Sequence, residues 1–326
     1  MLALAVAAAA ALLLAGGSHA ARHHTAATHR RLAPPPPALS PAGLPLATPA
    51  FTLTGIAHSA SAYPVDIPLG APPRAGLLFD ISSGRVLWAR DPDRRLPIAS
   101  LTKMMTALIG VRSTTADTPV RITRQAVAEG GSKVGLLPLG KDVRFESLLY
   151  GLLLPSGNDA AVAIAQHVAG TIPAFVARMN EQAAALGMGC TRYSSPSGFY
   201  DSGNFSCPRD LALLAHVDLA QPRIARVVRT AIAAIRFPIK GGRLYLDNNN
   251  PLLVYGYPGA TGVKTGWTEA AGRCLVASAE RDGVRLGVVL LDSKAPGTQA
   301  KRLLDAAFEN VYHLPPVPEP PMPVGA

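Results

Sequence analysis

Ser100-Leu101-Thr102-Lys103 sets a hydroxyl and an amine three residues apart, and on a helix residues i and i+3 share a face. A serine hydroxyl is a poor nucleophile until a base takes its proton. A lysine can be that base only when burial or a neighbouring cation lowers its pKa. Ser100 is thus a candidate nucleophile and Lys103 a candidate base. Such a tetrapeptide is common by chance, with an exposed Ser and Lys as the ordinary explanation, so its surroundings matter. Leu101, Met104, Met105 and Leu108 recur at helical spacing around it, which predicts a mostly buried helix opened by Ser100.

Two further clusters could share a cleft with that helix. Ser156-Gly157-Asn158 follows the apolar run that ends Leu152-Leu153-Leu154-Pro155, a polar triplet where two helices meet; alone it is a helix-helix turn. Lys264-Thr265-Gly266, continued by Trp267, offers a cation, a hydroxyl and a glycine where the backbone can approach a ligand. Alone it is an ordinary strand end.

The elements that must position these clusters are legible in outline. Residues 75–81 and 85–89 read as strands joined at Ser82-Ser83-Gly84, a hairpin. Helices are predicted over 145–154, 159–169, 173–186 and 208–217. Strands return at 262–265, 273–279 and 284–291, and a closing helix covers 300–312. Strands at both ends with helices between them predict an α/β protein of the α+β type: one antiparallel sheet flanked by helices, with a helical insertion.

Met1 to Gly17 is almost wholly Ala, Leu, Val and Gly, and Ser18-His19-Ala20 follows with small residues, so 1–20 is expected to be a secretory signal, although no Lys or Arg precedes the apolar run. Residues 21–70, which contain Pro34-Pro35-Pro36-Pro37, read as a linker and lead-in, 71–312 as the catalytic domain, and 313–326 as a Pro-rich tail with no second domain after it. The apolar start is shorter than a membrane span needs, and no transmembrane domain is expected. The net charge of +10 is scattered over many Arg, which argues for general surface chemistry over a nucleic-acid footprint. No His or Cys spacing suggests a metal site. Export would permit one disulfide among Cys190, Cys207 and Cys274, with Cys190 and Cys207 the preferred pair.

The motifs S-x-x-K, S-x-N and K-T-G in this order resemble the signature of class A β-lactamases and penicillin-binding proteins, with SGN in place of SDN. Longer blocks narrow the resemblance: PIASLTKMMTA, LLYGLLLPSGNDAAVA, RDLALLA and GVKTGWTEAAGRCLVASAERDG look like those of low-molecular-mass D-alanyl-D-alanine carboxypeptidases, over residues 76–312. The resemblance implies a transpeptidase-like fold and a serine peptidase that takes the terminal D-Ala from peptidoglycan stem peptides. It implies Ser100 as the acylated nucleophile, Lys103 as its base, Ser156 as proton relay and Asn158 as holder of the substrate amide. Lys264 and Thr265 would face the substrate carboxylate, and the backbone N–H groups of Ser100 and Trp267, beside Gly266, would form the oxyanion hole. β-Lactams are the implied covalent inhibitors. No cofactor is implied; a periplasmic or secreted monomer is expected.

The chain departs from relatives in one place that bears on substrate. They commonly carry an Arg shortly before the last helix to bind the terminal carboxylate, and 295–300 contains none; Lys294 and Arg209 are the expected substitutes. A D,D-endopeptidase uses the same motifs and is the alternative activity. A β-lactamase would need a deacylating acid, for which Glu181 is the candidate, and an inert peptidoglycan-binding protein would have no use for Ser100 and Lys103.

Overall fold

Leu77 and Phe79 point to one side of a strand and Leu78 to the other, and all three are fully buried. That continuous burial requires a sheet covered on both faces. The computed structural model, which describes residues 51–56, 63–199 and 203–317, has this sheet. By its contacts the chain divides into Met1–Ala38 and Leu39–Ala326, and every described residue belongs to the second unit. The expected signal and most of the linker lie outside the described residues.

Strands β1 (Ala75–Asp80) and β2 (Val86–Arg90) form the predicted hairpin; β3 (Leu96–Pro97) and a 3-10 turn at Ala99–Leu101 lead into helix α1 (Thr102–Ser113). The middle of the chain is chiefly helical: β4 (Pro119–Arg121), α2 (Arg124–Ala128), β5 (Asp142–Arg144), α3 (Phe145–Leu153), α4 (Asn158–Ala169), α5 (Ile172–Ala185), β6 (Phe205–Ser206), α6 (Pro208–Leu219) and α7 (Pro222–Val228). A hairpin of β7 (Ile232–Arg236) and β8 (Arg243–Asp247) and the short α8 (Pro251–Val254) precede β9 (Ala260–Thr268), β10 (Gly272–Arg281), β11 (Val284–Ser293) and α9 (Pro296–Asn310).

The main sheet has the order β2-β1-β11-β10-β9 and is antiparallel throughout. Its first and last strands in sequence are therefore neighbours, as expected. One face packs on the helical region, where Leu77, Phe79, Val276 and Val289 share one buried cluster with Met104, Met105 and Leu108 of α1 and Leu211 of α6. The other face packs on α9 through Leu78, Leu275, Val288 and Leu290 against Leu303, Leu304 and Phe308. Helix α1 is buried from Thr102 through Gly110, the behaviour of a helix apolar on every side.

Two expected boundaries move. Phe51 stacks on His216 with ring centroids 3.7 Å apart, Thr54 bridges Arg85, and the Val65 N–H donates to the Leu87 carbonyl at 3.0 Å. Residues 51–56 and 63–69 thus belong to the fold, because Tyr63 and Val65 find apolar cover there. At the other end Leu314 and Val317 pack on the α9 core, so the first residues of the Pro-rich tail are part of it too.

Cys190 and Cys207 are joined with Cα atoms 5.7 Å apart, which ties the loop after α5 to the start of α6. Closing a loop of 17 residues restrains the unfolded chain by about 3 kcal/mol. Replacing both cysteines by Ser should lower unfolding stability in urea by roughly that amount; an unchanged midpoint would contradict a structural role for this bond.

Candidate active site

Ser100 sits in the middle of the 3-10 turn, half-buried, at the foot of α1. Ala99 before it has φ 47°, an uncommon conformation for a residue with a side chain. Lys103, one turn on, is fully buried. Its Nζ lies 2.8 Å from Ser100 Oγ, 2.7 Å from Asn158 Oδ1 and 2.8 Å from the Ser197 carbonyl oxygen. A charged ammonium would donate to all three. A neutral amine has two N–H donors and a lone pair. Asn158 and Ser197 offer only acceptors to those donors, whereas a hydroxyl can also donate, so the lone pair falls to Ser100.

Burial drives the Lys103 pKa well below the usual lysine value, and the charge of Lys264 pushes it the same way; Asp159 and Glu129 oppose both. Lys264 is also buried, and its pKa falls to about 7 by desolvation. Its Nζ donates to the Thr265 carbonyl at 2.9 Å. Among the described residues neither lysine joins an ion pair. The neutral form of Lys103 is thereby favoured next to a hydroxyl, the condition that serine activation needs.

Strand β9 closes the site from the other side. A Cβ at Gly266 would stand 2.9 Å from the Ile98 carbonyl oxygen and 3.2 Å from the Ser100 nitrogen. The glycine of K-T-G is therefore needed for the strand to approach the Ser100 turn, whereas the sequence suggested approach to a ligand. Thr265, Gly266 and Trp267 line a cleft of about 510 Å³ together with Ser100, Ser132, Ser156 and Arg273. Ser156 has φ 69°, and its buried Oγ makes no hydrogen bond among the described residues.

Asn158, which the resemblance offers as holder of a substrate amide, is 1% exposed. Its Oδ1 accepts from Lys103 and its Nδ2 donates to the Gly130 carbonyl at 2.7 Å. A buried amine needs fixed acceptors, and the amide serves that need. Next to it Asp159 receives the N–H groups of Val134 and Gly135 at 2.9 and 3.1 Å, which fastens the 130–135 loop beside the cleft.

The two substitutes expected for the missing carboxylate-binding arginine do not fit. Arg209 is paired with Asp93 at 2.5 and 2.8 Å, and the Lys294 side chain is not part of the cleft wall. The cation that is there, Arg273, was read only as the start of a strand. Glu181 is exposed on α5, away from the cleft. Sequence reasoning also missed Ser197, whose only signal was the turn-prone run Ser195-Pro196-Ser197-Gly198.

Gly266→Ala should force β9 away from the Ser100 turn. Crowding of this kind costs roughly 1–3 kcal/mol, so a lower urea midpoint and slower acylation of Ser100 are expected together. Wild-type stability with wild-type acylation would show that the close approach is not required.

A family model described as D-alanyl-D-alanine carboxypeptidase matches residues 71–295. The D-alanyl-D-alanine carboxypeptidase DacF of Bacillus subtilis is 32% identical over 72% of this chain and 62% of its own length, so the chain spans less than two thirds of that relative. A D-alanyl-D-alanine endopeptidase of Pseudomonas aeruginosa is 31% identical over 74% of this chain and 80% of its own length. The crystal structure of the Streptomyces K15 DD-transpeptidase superposes with a TM-score of 0.69 at 31% identity and covers 75% of this chain and 99% of that one. The fold is that of the penicillin-binding peptidases, and the chain belongs to the D-alanyl-D-alanine carboxypeptidase family.

Proposed function

We propose that this protein is a serine peptidase that removes the terminal D-Ala from peptidoglycan pentapeptides through an acyl-enzyme on Ser100. The observation that carries the reading is the buried Lys103 amine 2.8 Å from Ser100 Oγ, with its pKa lowered by burial and by Lys264.

Lys103 accepts the Ser100 proton as Oγ attacks the carbonyl of the penultimate D-Ala. Negative charge on that carbonyl oxygen is met by the backbone N–H groups of Ser100 and Trp267, fixed donors that need no rearrangement in the transition state. Ser156, with its hydroxyl unengaged at the cleft wall, relays a proton to the departing D-Ala nitrogen. Water then attacks the ester and restores Ser100. Lys264 tunes Lys103 by its charge, and Thr265 offers its hydroxyl to the substrate from β9. A β-lactam enters the same path, with its ring carbonyl in place of the peptide bond.

The reading places the protein outside the cytoplasm, with export through residues 1–20 and a spacer before the fold. The Cys190–Cys207 disulfide supports an oxidising compartment. No single helix among the described residues is long and apolar enough to cross a membrane. Cleavage of crosslinked peptides is the second reading, favoured by the endopeptidase among the relatives.

Three outcomes test this. Ser100→Ala should abolish covalent labelling by penicillin, seen as the loss of the mass increment on the intact protein, and Lys103→Ala should slow labelling by about 100- to 10,000-fold; labelling that survives Ser100→Ala would move the nucleophile elsewhere. Incubation with a purified pentapeptide muropeptide should release D-Ala by mass spectrometry, whereas cleavage of a crosslinked dimer alone would replace the first reading by the second. In Lys264→Met the cation that depresses the Lys103 pKa is gone, so Lys103 stays protonated to higher pH. The acid limb of the acylation profile should therefore move up in pH; a limb that stays in place would separate the two lysines.

A further inference from the structure

Among the described residues the cleft wall contains no Asp or Glu, and its one basic side chain is Arg273. Behind that wall lie two more cations, but neither offers a constant charge: Lys103 has its pKa well below the usual value and Lys264 has its pKa at about 7. Both are buried, and the amine of each is already engaged with protein acceptors. A guanidinium keeps its charge across the biological pH range and presents paired N–H donors that match a carboxylate.

Arg273 is built into position. It stands directly opposite Trp267 in the β9–β10 ladder, so the two side chains leave the sheet on the same face. Its Nη1 donates to the Lys294 carbonyl at 2.9 Å, which fixes the guanidinium over the turn that leads into α9. Among the described residues it joins no ion pair, whereas Arg209 is committed to Asp93. Thr265 and Thr298 bring two hydroxyls to the same cleft.

We propose that Arg273 binds the free α-carboxylate of the residue that leaves, and so sets the preference of this enzyme for peptides that end in a carboxylate. The proposal rests on the peptidase reading above. It assigns to β10 a charge that the segment before α9 does not supply in this chain.

The test compares kcat/KM for an N-acylated peptide ending in D-Ala-D-Ala with that for the same peptide as its C-terminal amide, in the wild type, Arg273→Ala, Arg273→Gln and Arg273→Lys. Because the ratio is taken within each variant, any loss of folded enzyme cancels. The wild type should prefer the free acid. Arg273→Ala and Arg273→Gln should lose roughly 10- to 100-fold of that preference, the worth of one charge-assisted pair, chiefly through KM, and Arg273→Lys should recover part of it. A ratio in Arg273→Ala equal to that of the wild type overturns the role of Arg273 while the peptidase reading stands. A wild type that acts on neither peptide overturns the reading and the proposal together.

Discussion

Two lysine amines buried beneath one cleft, with no carboxylate among the described residues paired to either, are the constraint on which the rest of the site depends. Burying a charge without a partner is costly, and the usual relief is loss of the proton. In the function proposed for this protein, that relief is the source of the chemistry. A neutral Lys103 needs acceptors for its two remaining N–H groups, and the fold provides them from distant segments, the Asn158 amide at the start of α4 and the Ser197 carbonyl in the loop before β6. Its lone pair is left for Ser100.

The same constraint explains the antiparallel sheet that joins the chain ends. Lys264 acts on Lys103 only because β9, far along the sequence, lies against the turn at Ala99–Leu101. Gly266 permits that approach. The order β2-β1-β11-β10-β9 makes β9 an edge strand, with one side paired to β10 and the other turned toward the turn that carries Ser100. Burial of α1 from Thr102 to Gly110 keeps water from the amine. Packing of apolar residues on both faces of the sheet thus maintains the burial that lowers the Lys103 pKa.

Much of this was legible in the sequence where periodicity or composition gave a local signal. The Ser82-Ser83-Gly84 turn, the apolar spacing of α1 and the three strands that close the sheet all had such signals, and the structure shifts their ends by a few residues. The segments that were missed had weak ones: the β7–β8 hairpin alternates only partly, and β4 and β5 are three residues each. Residues 51–56 and 63–69 looked like linker because Pro and Ala dominate the preceding stretch, while Phe51, Tyr63 and Val65 show their role only once His216 and the sheet are beside them. Ser197 acts through a backbone carbonyl, which no residue type reveals. Arg273 could be read only from the register that pairs it with Trp267, and the bond from Lys103 to Asn158 only from the burial of that lysine.

The most direct measurement is the protonation of Lys103 in the folded protein, by heteronuclear NMR of lysine side chains labelled at the carbon next to Nζ, assigned with Lys103→Met and Lys264→Met. The expected result is two lysine signals that titrate far from the rest, with Lys264 at about 7 and Lys103 depressed by burial and by its neighbour. Titration of Lys103 with the surface lysines near about 10.4 would leave Ser100 without its proposed base, and would contradict the account.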